Sequence, residues 1–308
     1  MTDMTKMPPA MHPQDWLLLI LLSVLWGGTF FVVGFALREL PPLTLVFARV
    51  ALGAVLMLPV MKLFGMALPR TAKEWMPFVG IAMFNNIIPY SLIFAGQTYI
   101  TSGMASVLNA TTPLFTVLVL AAFGDERLSL RRVIGVSMGI LGVLLLRSAS
   151  ATDSTDQTIG ILLCLGGALS YGIAGLWARR MLAGVPPMTS TTCQLIVSGF
   201  VMAVVAGIVD RPWTLPMPSP ATWAAIVALA ALSTALAYIV FFRILERSGP
   251  TNVALVTLLI PVTAILLGVT VLGEPLTVRE ILGALVIGIS LLVIDGQVFA
   301  RLRRTPAA

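Results

Sequence analysis

Long apolar runs, separated by short polar or charged joints, make up almost the whole chain. Ten of them are predicted as helices, over residues 16–37, 43–61, 75–96, 102–123, 130–147, 159–180, 189–209, 221–243, 250–272 and 278–298. A helix needs about 20 apolar residues to cross a hydrocarbon core, and these runs meet that length. They do not alternate apolar and polar residues, as the strands of a membrane barrel do. The pattern predicts an all-α integral membrane protein with ten transmembrane helices.

The pattern also repeats. The stretch Tyr90–Leu146 aligns without a gap on the stretch 148 residues later. Tyr90 falls on Tyr238, Phe94 on Phe242, Pro113 on Pro261, Glu126 on Glu274, Leu128 on Leu276, Arg131 on Arg279 and Gly135 on Gly283. Identical apolar residues carry little weight in such runs. Tyr, Pro, Glu and Arg are rare there, and they keep one register, which marks an internal duplication. Upstream the offset becomes 145. Trp26 then meets Tyr171, Gly27 meets Gly172, Pro41-Pro42 meets Pro186-Pro187, Thr44 meets Thr189, and Arg49 meets Gln194. One linker, 148–158, has clear loop chemistry in its Ser, Thr and Asp. The chain thus divides into a tail (1–15), a first repeat (16–147), the linker, a second repeat (159–298) and a basic tail (299–308). Five spans is an odd number, so the second repeat enters the membrane from the opposite side. Two inverted five-helix repeats follow, an arrangement typical of secondary transporters.

Composition agrees with this class. Hydrophobic residues are 58% of the chain and charged residues 10%, against about 25% charge in a soluble domain. Mean hydropathy is +1.00. Charge sets the orientation: with the N-terminus cytoplasmic, 14 Lys and Arg lie on the cytoplasmic side and 4 outside, with Arg49 inside a span. The positive-inside rule then puts both termini in the cytoplasm. The pI of about 9.9 reflects these joints, so no nucleic-acid partner is expected. The N-terminus lacks a signal-peptide pattern, so the first run is expected to remain in the mature protein.

Catalytic chemistry is not visible. The single histidine, His12, is in the N-terminal tail, and Cys164 and Cys193 lie within apolar runs as small buried hydrophobes. No phosphate-cradling Gly-rich lysine motif occurs. No metal, cofactor or enzymatic activity is expected.

Leu25-Trp26-Gly27-Gly28-Thr29-Phe30 and Pro42-Leu43-Thr44 leading to Arg49 stand in the first two spans. Thr112-Pro113-Leu114-Phe115 and then Glu126-Arg127-Leu128 follow. Pro261 and Gly273-Glu274-Pro275-Leu276 stand in the second half. In that order and spacing the chain resembles the drug/metabolite transporter superfamily, specifically its ten-span EamA-type exporters. The resemblance implies export of small metabolites, amino acids or drugs through a central cavity lined by spans 1, 3, 4, 6, 8 and 9.

Polar groups within spans are costly and therefore candidates for function. Asn85, Asn86 and Tyr90 stand in span 3; at i+4, Asn86 and Tyr90 share a helical face and Asn85 is turned away. Span 8 offers Ser233, Thr234 and Tyr238. Trp26 and Tyr171 lie too deep to be interfacial anchors, unlike Trp16, Trp75, Trp213 and Trp223 at run ends. A substrate cavity of Trp26, Asn85, Asn86, Tyr90, Tyr171, Ser233 and Tyr238 is expected, suited to amphipathic or aromatic molecules. Helix packing and interhelical bridging account for the same residues as an alternative. Pro113 and Pro261 are expected hinges. Gly135 and Gly139, with Gly283 and Gly288, read as helix-packing positions; spans 5 and 10 carry almost no polar side chains at depth, so they are placed away from the cavity, as a candidate dimer face. Arg49, the one cation well inside a span, reads as structural, bonded to a helix carbonyl or snorkelling outward. Glu126 is expected to pair with Arg131, and Glu274 with Arg279.

The expected function is alternating-access export of small amphipathic metabolites, by a monomer or weak homodimer surrounded by membrane lipid. A membrane enzyme, a lipid-handling protein or a non-transporting assembly subunit are the alternatives. No carboxylate lies mid-span, so the coupling mode is not legible.

Overall fold

The protein is described by a computed structural model over residues 12–126, 128–146, 154–253 and 255–295. Both expected tails beyond these bounds, and the first part of the linker, lie outside the described residues. The described residues are helical, without a strand. Ten helical rods follow one another: α1 (Pro13–Ala36), α2 (Pro42–Leu63), α3 (Ala72–Gly96), α4 (Ser102–Ala122), α5 (Leu130–Leu146), α6 (Ser154–Met181), α7 (Pro187–Val209), α8 (Pro220–Gly249), α9 (Val256–Leu272) and α10 (Val278–Asp295). Seven of them are long and apolar enough to cross a membrane on length and composition alone; α9 is shorter. Prolines open α2, α7 and α8, where the missing N–H costs nothing.

The packing has the symmetry of the duplication. Helix α1 lies against α9 and α8, and its counterpart α6 lies against α4 and α3. The pairs α2–α7, α4–α9 and α5–α10 each join one helix to its own counterpart. Glycines allow the closest crossings. A Cβ on Gly27 would stand 2.7 Å from the Ile260 carbonyl oxygen of α9, and one on Gly172 would stand 3.0 Å from the Phe115 backbone of α4. Gly142 and Gly283 similarly bring α5 onto α10, where a Cβ on Gly283 would lie 2.9 Å from the Gly142 carbonyl oxygen. The glycine faces of α5 and α10 thus meet within one chain, and Gly288, one of the expected packing positions, meets nothing. Their outer faces expose Ile140, Leu144, Leu285 and Ile289, apolar area of the kind lipid covers. Both cysteines are free and buried.

Since α1 to α10 alternate in direction, the start of α1 and the end of α10 share one face, here the terminal face. The opposite face is held together by carboxylates that cross between repeats. Glu39 accepts from the Ser219 N–H and hydroxyl at the start of α8, at 2.7 and 2.8 Å. Asp210 accepts from the Thr44 N–H and hydroxyl in the first turn of α2, at 2.7 and 2.9 Å. Glu274 accepts from the Ser102 N–H and hydroxyl at the start of α4, at 3.0 and 2.8 Å. A negative charge at a helix N-terminus meets both free N–H groups and the dipole. The terminal face uses ion pairs instead: Asp15 with Arg247, Asp125 with Arg180, and Glu126 with Arg132 and Arg179. Glu126 therefore binds Arg132 rather than the expected Arg131, and it also bridges to α6. Glu274 reaches across to α4 rather than closing its own hairpin.

Candidate functional site

The long helices α3 and α8 are not regular. Each contains a widened π turn, over Met83–Ile87 in α3 and Ala231–Leu236 in α8. The two turns start at positions 148 residues apart, in the register of the duplication. A π turn loosens the backbone ladder, and such turns occur often at functional sites. Here side chains attend to it. The Ser170 hydroxyl donates to the Phe84 carbonyl oxygen (2.8 Å), and the Thr234 hydroxyl donates to that of Leu229 (2.9 Å).

The π turns also redirect side chains. Asn86 turns to α7, fully buried, and donates to the Ser198 hydroxyl at 3.1 Å. Asn85 donates to the Gln194 side-chain oxygen at 3.0 Å. The expected grouping of Asn86 with Tyr90, and away from Asn85, assumed 3.6 residues per turn. The widened turn breaks that period between residues 83 and 87, and Asn85 is the amide on the Tyr238 side.

Around these turns the aromatic residues converge. Tyr90 stacks on Phe94 with centroids 6.0 Å apart, and Tyr238 stacks on Phe242 at 5.8 Å, the same pair in each repeat. Trp26 of α1 meets Tyr238 edge-on at 6.3 Å and Phe241 at 5.4 Å. Tyr171 of α6 is close enough to interact electrostatically with Tyr90, Tyr238 and Arg49. Rings from α1, α3, α6 and α8 thus share one centre. Asn85 joins them; Asn86 and Ser233 are buried in the π turns beside it.

Arg49 departs from both arrangements expected of it. It neither snorkels nor bonds a carbonyl. It is buried, with 5% exposure. Its guanidinium lies 4.2 Å from the Tyr90 ring centroid and 5.9 Å from that of Phe94, and its Nε donates to the Thr234 hydroxyl at 3.4 Å. Its being the only charge deep in a span was the available signal.

The two expected hinges differ. At Pro113 the helix is interrupted: α-helical geometry stops at Asn109 and resumes at Thr112. Asn109 there leaves a side-chain oxygen buried without a partner. At Pro261 the helix runs through. A small pocket, about large enough for one water molecule, lies elsewhere, on the face opposite the terminal one, lined by Thr101, Met104, Val107, Ile265 and Glu274. No group of three His, Cys, Asp or Glu residues among the described ones could hold a metal ion.

Over residues 15–148, and again over 158–295, the sequence matches the EamA-like transporter family. The chain belongs to that family. This EamA chain is 26% identical to an uncharacterized inner membrane transporter of Escherichia coli, YedA, with 91% of each chain covered. It is 25% identical to an uncharacterized transporter of Archaeoglobus fulgidus, over 88% of this chain and 95% of that one. A protein of Salmonella typhimurium described as "Probable amino-acid metabolite efflux pump" is 25% identical, over 96% and 98%. A crystal structure whose description gives no activity shares the fold, with a TM-score of 0.66 at 20% identity, over 96% of this chain and 100% of its own. The EamA chain is thus a helical membrane transporter whose repeats meet at an aromatic centre holding one cation.

Proposed function

We propose that this protein is a secondary transporter that exports small amphipathic or aromatic metabolites, amino acids among them, from the cytoplasm by alternating access. The observation that carries this reading is the convergence of Trp26, Asn85, Tyr90, Tyr171 and Tyr238 from both repeats on one centre. Apolar walls with a few polar groups are what a small-molecule site requires. Inverted repeats provide the rocking element, because either repeat can tilt against the other around a fixed midplane site.

The differing ends of the molecule support the direction. Opposite the terminal face, three carboxylates each cap a helix of the other repeat. Symmetry-equivalent positions on the terminal face lack this chemistry: Pro250 stands where Ser102 would be and has no N–H to donate. The ion pairs of Asp125 and Glu126 there are partly exposed on both sides, while the Asp15 carboxylate that meets Arg247 is buried; exposed pairs hold weakly. With the terminal face cytoplasmic, as the Lys/Arg asymmetry predicts, the more easily opened side is the one that loads an exporter. The names of the E. coli and S. typhimurium relatives agree with an inner-membrane exporter.

The test is efflux from loaded proteoliposomes, against a panel of amino acids and cationic drugs. At least one amino acid or aromatic metabolite should leave faster than from protein-free vesicles, and Tyr90→Ala should slow it. Equal leakage with and without protein, across the panel, rejects the reading.

A further inference from the structure

We infer that Arg49 receives the carboxylate of the transported molecule, so that the substrates are small carboxylic acids, zwitterionic amino acids included, rather than cations. This rests on the transport reading above and adds the substrate's chemical class.

The argument begins with donors. A guanidinium has five N–H groups and keeps its charge in proteins. Arg49 uses one of them, Nε, on the Thr234 hydroxyl, at a long 3.4 Å. Among the described residues no carboxylate pairs with it, since the four ion pairs formed involve other residues. Its ring contacts are Tyr90 at 4.2 Å and Phe94 at 5.9 Å. A ring at that distance attracts the cation through its π electrons and supplies no carbonyl or carboxylate oxygen to the N–H groups. Among the described residues neither Nη1 nor Nη2 has a hydrogen-bond partner. Their fork matches a carboxylate in two parallel hydrogen bonds.

Position adds a second line. The guanidinium is buried within the tyrosine centre, close enough to act electrostatically on both Tyr171 and Tyr238. Phenol hydroxyls can donate to the lone pairs that a carboxylate bound to Arg49 leaves over. A buried cation without a carboxylate partner keeps much of its desolvation cost, and an entering carboxylate offsets it where it arises.

The third line is symmetry. The counterpart of Arg49 is Gln194, which performs the bracing task on the other side with a neutral amide, accepting from Asn85 at 3.0 Å. Bridging α2 or α7 to the π turn it faces therefore requires no charge. At Arg49 the duplication has been broken in favour of a cation, inside the site, where a packing role does not explain it.

Four probes separate the alternatives in proteoliposomes: phenylalanine, phenylalaninamide, phenethylamine and 3-phenylpropanoate. They share the aromatic ring and differ in carboxylate and ammonium. We expect phenylalanine and 3-phenylpropanoate to be transported with a KM roughly tenfold or more below that of the two compounds without a carboxylate, the scale of a charge-assisted pair. Arg49→Gln, which copies the other repeat, should abolish this preference, and Arg49→Lys should retain part of it. Should Arg49→Gln fail to elute as a folded monodisperse protein, the wild-type preference and Arg49→Lys still decide. If the wild type carries the amide and the amine as well as the acids, the carboxylate assignment is wrong while the transport reading stands. If the wild type moves none of the four, the transport reading fails for this class, and the assignment goes with it.

Discussion

Tyr90 touches both the Arg49 guanidinium, 4.2 Å from its ring centroid, and the Phe94 ring, 6.0 Å away, and Arg49 lies 5.9 Å from Phe94, so the three form one cluster. A desolvated cation–ring contact contributes about 2 kcal/mol, so the ring matters more to Arg49 than the hydroxyl does. Tyr90→Phe keeps both contacts and should cost less than about 1 kcal/mol of stability, the scale of one lost hydrogen bond. Tyr90→Ala removes the ring, leaves a void and strands the cation, and should cost about 3–5 kcal/mol. Melting of the purified protein distinguishes the two. Substrate binding should follow the same order, weakening by about 1–3 kcal/mol for Tyr90→Ala and by less for Tyr90→Phe; equal losses for the two variants would mean that the hydroxyl itself contacts the substrate. At this scale the sequence was informative where a rare residue recurred in register. Tyr90 and Tyr238 announced themselves because tyrosine is scarce in apolar runs. Asn85 and Asn86 did not sort correctly, because the period used to assign their faces fails inside a π turn. Arg49 was visible as an isolated charge, but whether it snorkels or stays inside depends on the ring beneath it, which only tertiary packing supplies.

The working parts of the elements are their irregularities. The π turns of α3 and α8 sit where these helices meet α7 and α2, and both carry polar side chains. Neither turn has a proline or glycine within it, so apolar patterning could place the two helices and not the turns. The prolines show the converse. Pro113 was legible as a break, and the helix does stop there; Pro261 occupies the matching position, yet α9 runs through it. The two should therefore differ in function. Pro113→Ala restores a donor and lets Ala110–Thr111 join a continuous helix, so the efflux rate should fall more than KM rises. Pro261→Ala should change the rate less. An unchanged rate for correctly folded Pro113→Ala would show that the break is static. Helix ends give a further prediction. The Glu39 carboxyl is held below the usual glutamate range by the backbone and side chain of Ser219, against a smaller opposing effect of burial. A carboxyl lowered on folding adds stability above its ordinary pKa of about 4.5 and loses it as pH falls toward the folded value. Melting temperature should thus drop between pH 6 and pH 4, and drop less steeply in Glu39→Gln.

Across the whole molecule, the duplication explains the architecture and the departures from it explain the polarity. The duplication was readable, because it rests on residue types that repeat at fixed offsets, and the family match falls twice on the chain; that Gly27 and Gly172 let α1 cross α9 and α6 cross α4 is visible only in the packing. The cross-repeat carboxylate caps were not readable either, since local spacing favoured a partner within the same hairpin and the true partners are up to 180 residues away. Which face is which remains a statement about charge. Fourteen Lys and Arg stand on the terminal side of the ten-span pattern and four on the other, and chains insert so that the Lys/Arg-rich side stays cytoplasmic. The count depends on the number of spans: adding or removing one would exchange the sides of every joint beyond it and erase the asymmetry. A reporter fused at Ala308 and a second one inserted within residues 150–157 therefore test number and orientation together. A phosphatase reporter, active only outside the cytoplasm, should be silent at Ala308 and active in the linker, and a cytoplasmic fluorescent reporter should give the reverse. Activity at Ala308 with silence in the linker would invert the molecule and turn the more easily opened face outward, which would make loading from the cytoplasm untenable. The same signal at both sites would mean an even number of spans between them, and the inverted repeat would fail with it.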